Sequence, residues 1–335
     1  MTHDTRRALR VSVMLGALLA GLLSGGPASA TDQVTLALDW VIGGTHVPYF
    51  VAVDKGFYAS QNLAVTISRG YGSGDTIKRV AAGRATFGVA DMGALVAARA
   101  NDGVPVKAVF GVYGKAALGI LYLRESGIKG PKDLEGRTLA RSASGASVIM
   151  LPAFLKANGV DREKIHEVIV DASAFLPMLI ARKADAITEQ SIQAPRFQKA
   201  AEKEGLHVDA MQYSNNGLVT HGNAVMTSDT IAQSQADLVR RFVQATARGL
   251  AYAFEHPDEA VEIMQKYNRE VEPEPAKAEL LIMKGLVSPE AAAKGLGYMS
   301  PEVMLATRDV VTPALGLKRV VPPEELYTNE FLAAR

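Results

Sequence analysis

The sequence contains no cysteine, which removes disulfides, thiolate metal centres and cysteine nucleophiles together. Tryptophan is nearly absent as well, and Trp40 stands alone. Histidine is sparse. No two of His3, His46, His166, His207, His221 and His256 stand at a spacing that would bring both onto one metal ion. A phosphate-binding P-loop, His-Glu-x-x-His, Gly-x-Ser-x-Gly and a dinucleotide fingerprint are all missing. Neither sign of charge dominates: 36 basic and 35 acidic residues leave +1. Without a long charged run, neither nucleic acid nor a membrane surface is indicated as a partner. These absences favour binding over catalysis, with no cofactor and no metal expected. They also leave the hydrophobic core to hold the chain together.

The first thirty residues read as a leader. Arg6, Arg7 and Arg10 form a basic start, Val11–Leu23 an apolar run too short to span a bilayer comfortably, and Ala28-Ser29-Ala30 a small-x-small cleavage site. The expectation is a secretory signal peptide, residues 1–30, cut after Ala30. Its loss turns the net charge to −1, since it carries Arg6, Arg7, Arg10 and Asp4. With no cysteine at the cleavage site there is no lipid anchor, and the chain is read as periplasmic and free. No later stretch is apolar enough to cross a membrane.

Gly70–Asp91 (GYGSGDTIKRVAAGRATFGVAD) organises the rest. A glycine-rich loop, Gly70-Tyr71-Gly72-Ser73-Gly74, precedes a helix for which Ser73 suits the N-cap and Asp75 the positive dipole end. Arg84–Val89 then reads as a strand ending at Ala90-Asp91. Helix N-termini and strand carboxyl ends are where open α/β sheets hold ligands. A plain turn in a βαβ unit is the alternative. Upstream, the strand Val34–Asp39 runs into the loop Trp40–Tyr49, which holds the only Trp and His46. Trp40 is either a stacking platform or a core residue, and His46 either a ligand contact or a structural hydrogen bonder. With Val106–Val112 the first unit reads β-α-β-α-β-α-β, a parallel sheet covered on both faces.

The organisation restarts near Tyr113-Gly114. A second small-residue loop, Ser142-Ala143-Ser144-Gly145-Ala146-Ser147, precedes a helix that Pro152 should bend or delay. A short strand ends at Thr188-Glu189-Gln190. VAAGRATFGVAD and LIARKADAITE share one plan: helix end, basic residue, alanine, strand, acid. Two α/β lobes around a cleft follow, lobe 1 from 31–112 plus 218–335 and lobe 2 from 113–217, with crossings near Val112–Lys115 and Tyr213–Gly222. The late helices (Asp258–Lys266, Glu274–Lys284, Pro301–Thr312) read as packing, with Met264, Met283, Met299 and Met304 as gap fillers.

Four ordered blocks, LALDWVIGGTHVPYFVAVDKGFYASQNLAVTI, GSGDTIKRVAAGRATFGVADMGALVAARANDGVPVKAV, GIKGPKDLEGRTLARSASGAS and LPMLIARKADAITEQSIQAPRF, resemble the periplasmic solute-binding proteins of ABC importers. The branch they resemble serves thiamine pyrimidine precursors, sulfonates and nitrate. The resemblance implies the periplasmic-binding-protein fold and an ABC permease as partner. It also implies a monomer with one small-molecule site between the lobes. One wall would carry Trp40, His46, Gly72, Ser73, Gly74, Asp75 and Asp91. The other would carry Ser142, Ser144, Gly145, Thr188 and Glu189. The Trp-to-His spacing is similar to pyrimidine-precursor members, in which the ring is stacked. Directly after the Trp, however, Val41-Ile42-Gly43-Gly44 replaces their Pro-Asn. The leading ligand is a flat heteroaromatic of thiamine-pyrimidine type. A sulfonate, nitrate or aromatic carboxylate anion remains open, as does a ligand-sensing receptor subunit. A related fungal fold makes the thiamine pyrimidine as an enzyme through a cysteine-rich motif, and this chain has no cysteine for it.

Overall fold

The computed structural model describes residues 30–333; all of the expected leader but Ala30 lies outside the described residues. The chain forms two mixed five-stranded sheets. The first contains β1 (Asp32–Ala37), β2 (Leu63–Ser68), β3 (Phe87–Asp91), β4 (Val106–Gly111) and β10 (Asn223–Ser228), in the order β2-β1-β3-β10-β4. The second contains β5 (Leu118–Leu123), β6 (Thr138–Arg141), β7 (His166–Ile169), β8 (Ala186–Gln190) and β9 (Val208–Gln212), in the order β7-β6-β8-β5-β9. Each sheet with its helices is one α/β lobe. The central strands β3 and β8 are buried along their whole length, as strands covered on both faces must be.

The expected all-parallel sheet is corrected by β10. β4 does not pair with β3. β10 lies between them and runs antiparallel to both. In the second sheet β5 does the same between β8 and β9. In both cases the inserted strand is the one that has just crossed from the other lobe, so it enters the sheet from the cleft side and runs backwards. The two crossings lie side by side. The Val112 N–H donates to the Asn223 carbonyl at 2.8 Å, and the Ala116 N–H to the Thr220 carbonyl at 2.9 Å.

β3 and β8 hold the same place in their sheets, so the repeat read from the sequence is structural. Its acids are nevertheless offset. Aligning Arg84 with Lys183 puts Asp91 opposite Gln190, and Glu189 opposite Ala90. A one-residue offset in a strand turns a side chain to the other face, so Asp91 and Glu189 do different jobs.

One local expectation fails. Ser73 is not an N-cap: the helix Ser73–Ala81 is capped by Gly72, at φ 126°. Pro152 lies inside the helix Ala146–Ala157, so of its two expected effects the delayed start does not occur. In lobe 1, Phe242 stacks on Phe87 (centroids 3.9 Å) and on Tyr58 (5.1 Å). It joins the long helix Ala236–Glu255 to β3 and to the chain leading into β2. All four late methionines are buried.

Phe242→Ala should lower the unfolding free energy by about 3–5 kcal/mol, because one truncation empties both stacks. Urea denaturation followed by circular dichroism checks this.

Candidate functional site

β1 leads through Leu38 into Asp39-Trp40, β8 ends at Glu189-Gln190, and the two dipeptides meet between the lobes. The Trp40 indole Nε1–H donates to Glu189 Oε2 at 2.9 Å. The ring is 6 % exposed, lies 6.2 Å from the Phe175 ring, and packs in the core of lobe 2 although it belongs to lobe 1. Asp39 lies on the hinge side. Its Oδ1 pairs with His46 Nε2 at 3.0 Å, and its Oδ2 accepts from Asn223 Nδ2 at 2.7 Å and from Gln190 Nε2 at 3.5 Å. The Gly43 N–H donates to His46 Nδ1, which leaves Nε2 to donate to Asp39. Gln190 Oε1 in turn accepts from the Tyr113 hydroxyl at 2.9 Å. Residues of both lobes and of a crossing thus share one buried polar network.

The two small-residue loops also face each other. The Gly74 N–H, at the start of its helix, donates to the Ser144 carbonyl at 3.0 Å, and Ser144 Oγ donates to the Tyr71 carbonyl at 3.0 Å. A Cβ on Gly72 would lie 2.4 Å from the Ser144 backbone. Close approach of the second loop therefore requires glycine there, in addition to the positive φ. Within each loop the hydroxyls serve the backbone: Ser73 Oγ accepts from the Asp91 N–H, and Ser142 Oγ from the Gly145 N–H. Between Trp40, Gly145, Thr188 and Glu189 there remains a cavity of about 10 Å³. Thr188 Oγ1 lies there, buried and with no hydrogen-bond partner among the described residues; the same is true of one carboxylate oxygen each of Asp75 and Asp91.

Asp91 is the N-cap of the helix Met92–Asp102, accepting from the Ala94 N–H at 3.1 Å. Glu189 has both oxygens engaged, one by Trp40 and one by the Gln190 N–H at 2.8 Å, with Arg196 3.7 Å away. Burial pushes the Asp91 carboxyl up to about 7, against its hydrogen bond from Ala94. Burial also lifts Glu189 to about 7, opposed chiefly by the Arg196 guanidinium.

A third such carboxyl was missed by the sequence reading. Glu279 lies on the helix Pro273–Gly285, expected to serve only packing. It is 1 % exposed and accepts from the Gly44 N–H at 2.6 Å. Burial lifts it to about 7, opposed by Arg196 and Gly44. A Cβ on Gly44 would lie 2.2 Å from the Ala276 carbonyl. The glycines that replace Pro-Asn after Trp40 therefore have a cause: this helix packs directly on them. Asp39 and Arg196 were missed too. Asp39 had a signal, an acid at a strand end just before the only Trp; Arg196 and Glu279 look like ordinary surface-helix charges.

A family model described as NMT1/THI5 like matches residues 44–260. The chain belongs to that family. Trp40 and Glu279 lie on either side of the matched stretch. The chain is 27 % identical over 314 residues to the riboflavin-binding protein RibY of Chloroflexus aurantiacus, covering 90 % of this chain and 86 % of that one. It is 24 % identical to the formylaminopyrimidine-binding protein of Halalkalibacterium halodurans (76 % and 77 % covered). It is also 28 % identical to the 4-amino-5-hydroxymethyl-2-methylpyrimidine phosphate synthase of Legionella pneumophila (70 % and 74 % covered). Among solved structures, the alkanesulfonate-binding protein SsuA of Xanthomonas axonopodis pv. citri bound to MOPS superimposes with a TM-score of 0.70 at 14 % identity, covering 90 % of this chain and all of that one. The periplasmic-binding-protein fold expected from the sequence is the fold of the family member described here.

Three carboxyls raised toward 7 make the folded chain hold more protons than the unfolded chain between about pH 4.5 and 7. Their contribution to stability is complete below the unfolded values and is lost as pH rises through 7. Glu279→Gln keeps an acceptor for Gly44 but cannot ionise. Its stability should fall less between pH 5 and pH 8 than that of the wild type, by up to about 3 kcal/mol. Thermal melts across that pH range measure the difference; parallel curves would contradict it.

Proposed function

We propose that the chain is the substrate-binding component of an ABC importer and reversibly captures a small, flat heteroaromatic solute. The observation that carries this reading is Trp40. It reaches from the end of one sheet into the other lobe, with its N–H on Glu189 and, beside it, the Thr188 hydroxyl, which has no hydrogen-bond partner among the described residues. Opening about the crossings at 112–117 and 213–222 would part Trp40 from Glu189 and uncover an indole face for stacking. The lobes that move are 31–112 plus 218–335 and 113–217. A ring amino or hydroxyl group would then find Glu189 as acceptor, Thr188 as donor or acceptor, and the loops Gly72–Asp75 and Ser142–Gly145 as rims.

An anion is the weaker reading. Glu189 and Glu279 are two buried carboxyls near one guanidinium, Arg196, and a desolvated anion beside them is costly. The amide at Gly74 is committed to Ser144. The names of two relatives, riboflavin-binding and formylaminopyrimidine-binding, support a flat ring. Turnover is the weaker reading for the whole chain. It has no cysteine, and His46 has both ring nitrogens committed. The ligand should leave unchanged. Secretion through the leader places the protein in the periplasm as a monomer that docks on a permease.

A thermal-shift screen with pyrimidines, flavins, alkanesulfonates and nitrate tests the ligand class. A ring compound at 100 times its dissociation constant should add about 2.7 kcal/mol. Trp40→Ala should remove that shift, and chromatography should recover the compound intact. Stabilisation by sulfonates alone, unaffected by Trp40→Ala, would overturn the reading, and product formation would overturn the transport role.

A further inference from the structure

Directly outside Trp40 the cleft continues into a cavity of about 250 Å³. Its floor is Val41–Gly44, and Leu176, Arg196, Ala276 and Glu279 are among its walls, so both lobes build it. Leu176, Arg196 and Ala200 come from lobe 2; Asn268, Glu270, Val271, Glu272 and the helix Pro273–Gly285 come from lobe 1. Arg196 joins it to the Trp40 site, because its guanidinium stands 3.7 Å from the carboxylate that receives the indole N–H.

The polar groups gather around Gly43. A Cβ there would lie 3.0 Å from Glu279 Oε2 and 3.9 Å from both Arg196 Nη1 and Gln193 Oε1. Gln193 is 2 % exposed, and its Oε1 has no hydrogen-bond partner among the described residues. A buried amide oxygen without a partner asks for a donor. Ile42, Leu176, Val271 and Ala276 give it apolar walls, and Asn268, Glu270 and Glu272 add polar ones. Arg196 is the one cation among the lining residues, against Glu270, Glu272 and Glu279. It is already shared between Glu189 and Glu279, while Glu272 is held by Lys199 and Lys203 at the rim.

We propose that this cavity is a second subsite of the cleft, one that takes a neutral or cationic substituent carried by the ring and bearing hydroxyl or amino donors. An anionic substituent would compete with the two buried carboxyls, Glu189 and Glu279, for one guanidinium. A hydroxyl or ammonium donor instead meets the Glu279 carboxyl, which lines the cavity, and its methylene groups cover the apolar walls, while Gln193 Oε1 lies next to Gly43 without lining the cavity itself. The proposal rests on the ring-binding reading of the cleft. It separates ligands that share a ring but differ in what hangs from it.

Two ligand series test it by calorimetry: lumichrome, riboflavin and flavin mononucleotide; and 4-amino-5-hydroxymethyl-2-methylpyrimidine, thiamine and thiamine monophosphate. The first series runs from the ring to the ring with a hydroxyl-bearing chain and then to that chain phosphorylated; the second runs from the pyrimidine to the pyrimidine joined to a cationic thiazolium that bears a hydroxyethyl group, and then to that group phosphorylated. In the series whose ring binds, the second member should bind about tenfold more tightly than the first, and the third more weakly than the second. Ala200→Phe and Leu176→Trp fill the cavity from two different lobe 2 helices. Each should weaken the second member about tenfold and leave the bare ring within about twofold. Circular dichroism confirms that both variants fold. Equal affinity of ring and chain-bearing compound, or tighter binding of the phosphate, overturns the subsite alone. Equal loss of both ligands in the filled variants does the same. Failure of every ring to bind overturns the subsite together with the reading beneath it.

Discussion

The closed arrangement of this protein depends on burying one indole against the lobe to which it does not belong. An indole has a single donor, and in a dry interior that donor must be met. Glu189 meets it. In β8 successive side chains point opposite ways, so Gln190 faces Asp39 and Tyr113 while Glu189 faces the indole and Arg196. Asp39 and Trp40 follow β1 in a bend and divide in the same way, Asp39 to Asn223 and Trp40 to Glu189. One dipeptide pair ties the lobes together at two depths.

The electrostatics follow from that burial. Glu189 and Glu279 approach Arg196 from different elements, and neither carboxyl is on the surface. Such groups are costly to bury and are kept where they are hydrogen-bonded. Here each accepts a bond from the segment Trp40–Gly44: the indole N–H for Glu189 and the Gly44 amide for Glu279. That segment is the floor of the cleft. Its shape is set by acids supplied from 149 and 235 residues away.

Much of this was legible in the sequence. The alternation of strands and helices, the restart near Tyr113, the return at Asn223 and the two small-residue loops all carry local signals, because turns and strand ends are written in glycines and in apolar runs. Trp40 was legible as an oddity, a large ring just past a strand. Other features depend on which strands become neighbours. The insertion of β10 between β3 and β4 reverses the expected pairing, and nothing within β3 or β4 records it. The repeat misled at one point, since matching acids in matching motifs proved to be one residue out of step. Glu279 was illegible because its partner is a backbone amide far away in the chain, reached only once the helix Pro273–Gly285 has docked on glycines that leave it room. The glycines themselves were visible as a departure after Trp40, and the structure supplies their reason.

The solitary tryptophan gives the molecule an optical property as well. Every excited indole in a solution of this protein sits at the same lobe boundary, against Phe175 and hydrogen-bonded to a carboxyl group. Its emission therefore reports a single distance rather than an average over the fold. The colour and lifetime of that light belong to the seam between the lobes, with no second fluorophore of its kind to dilute them.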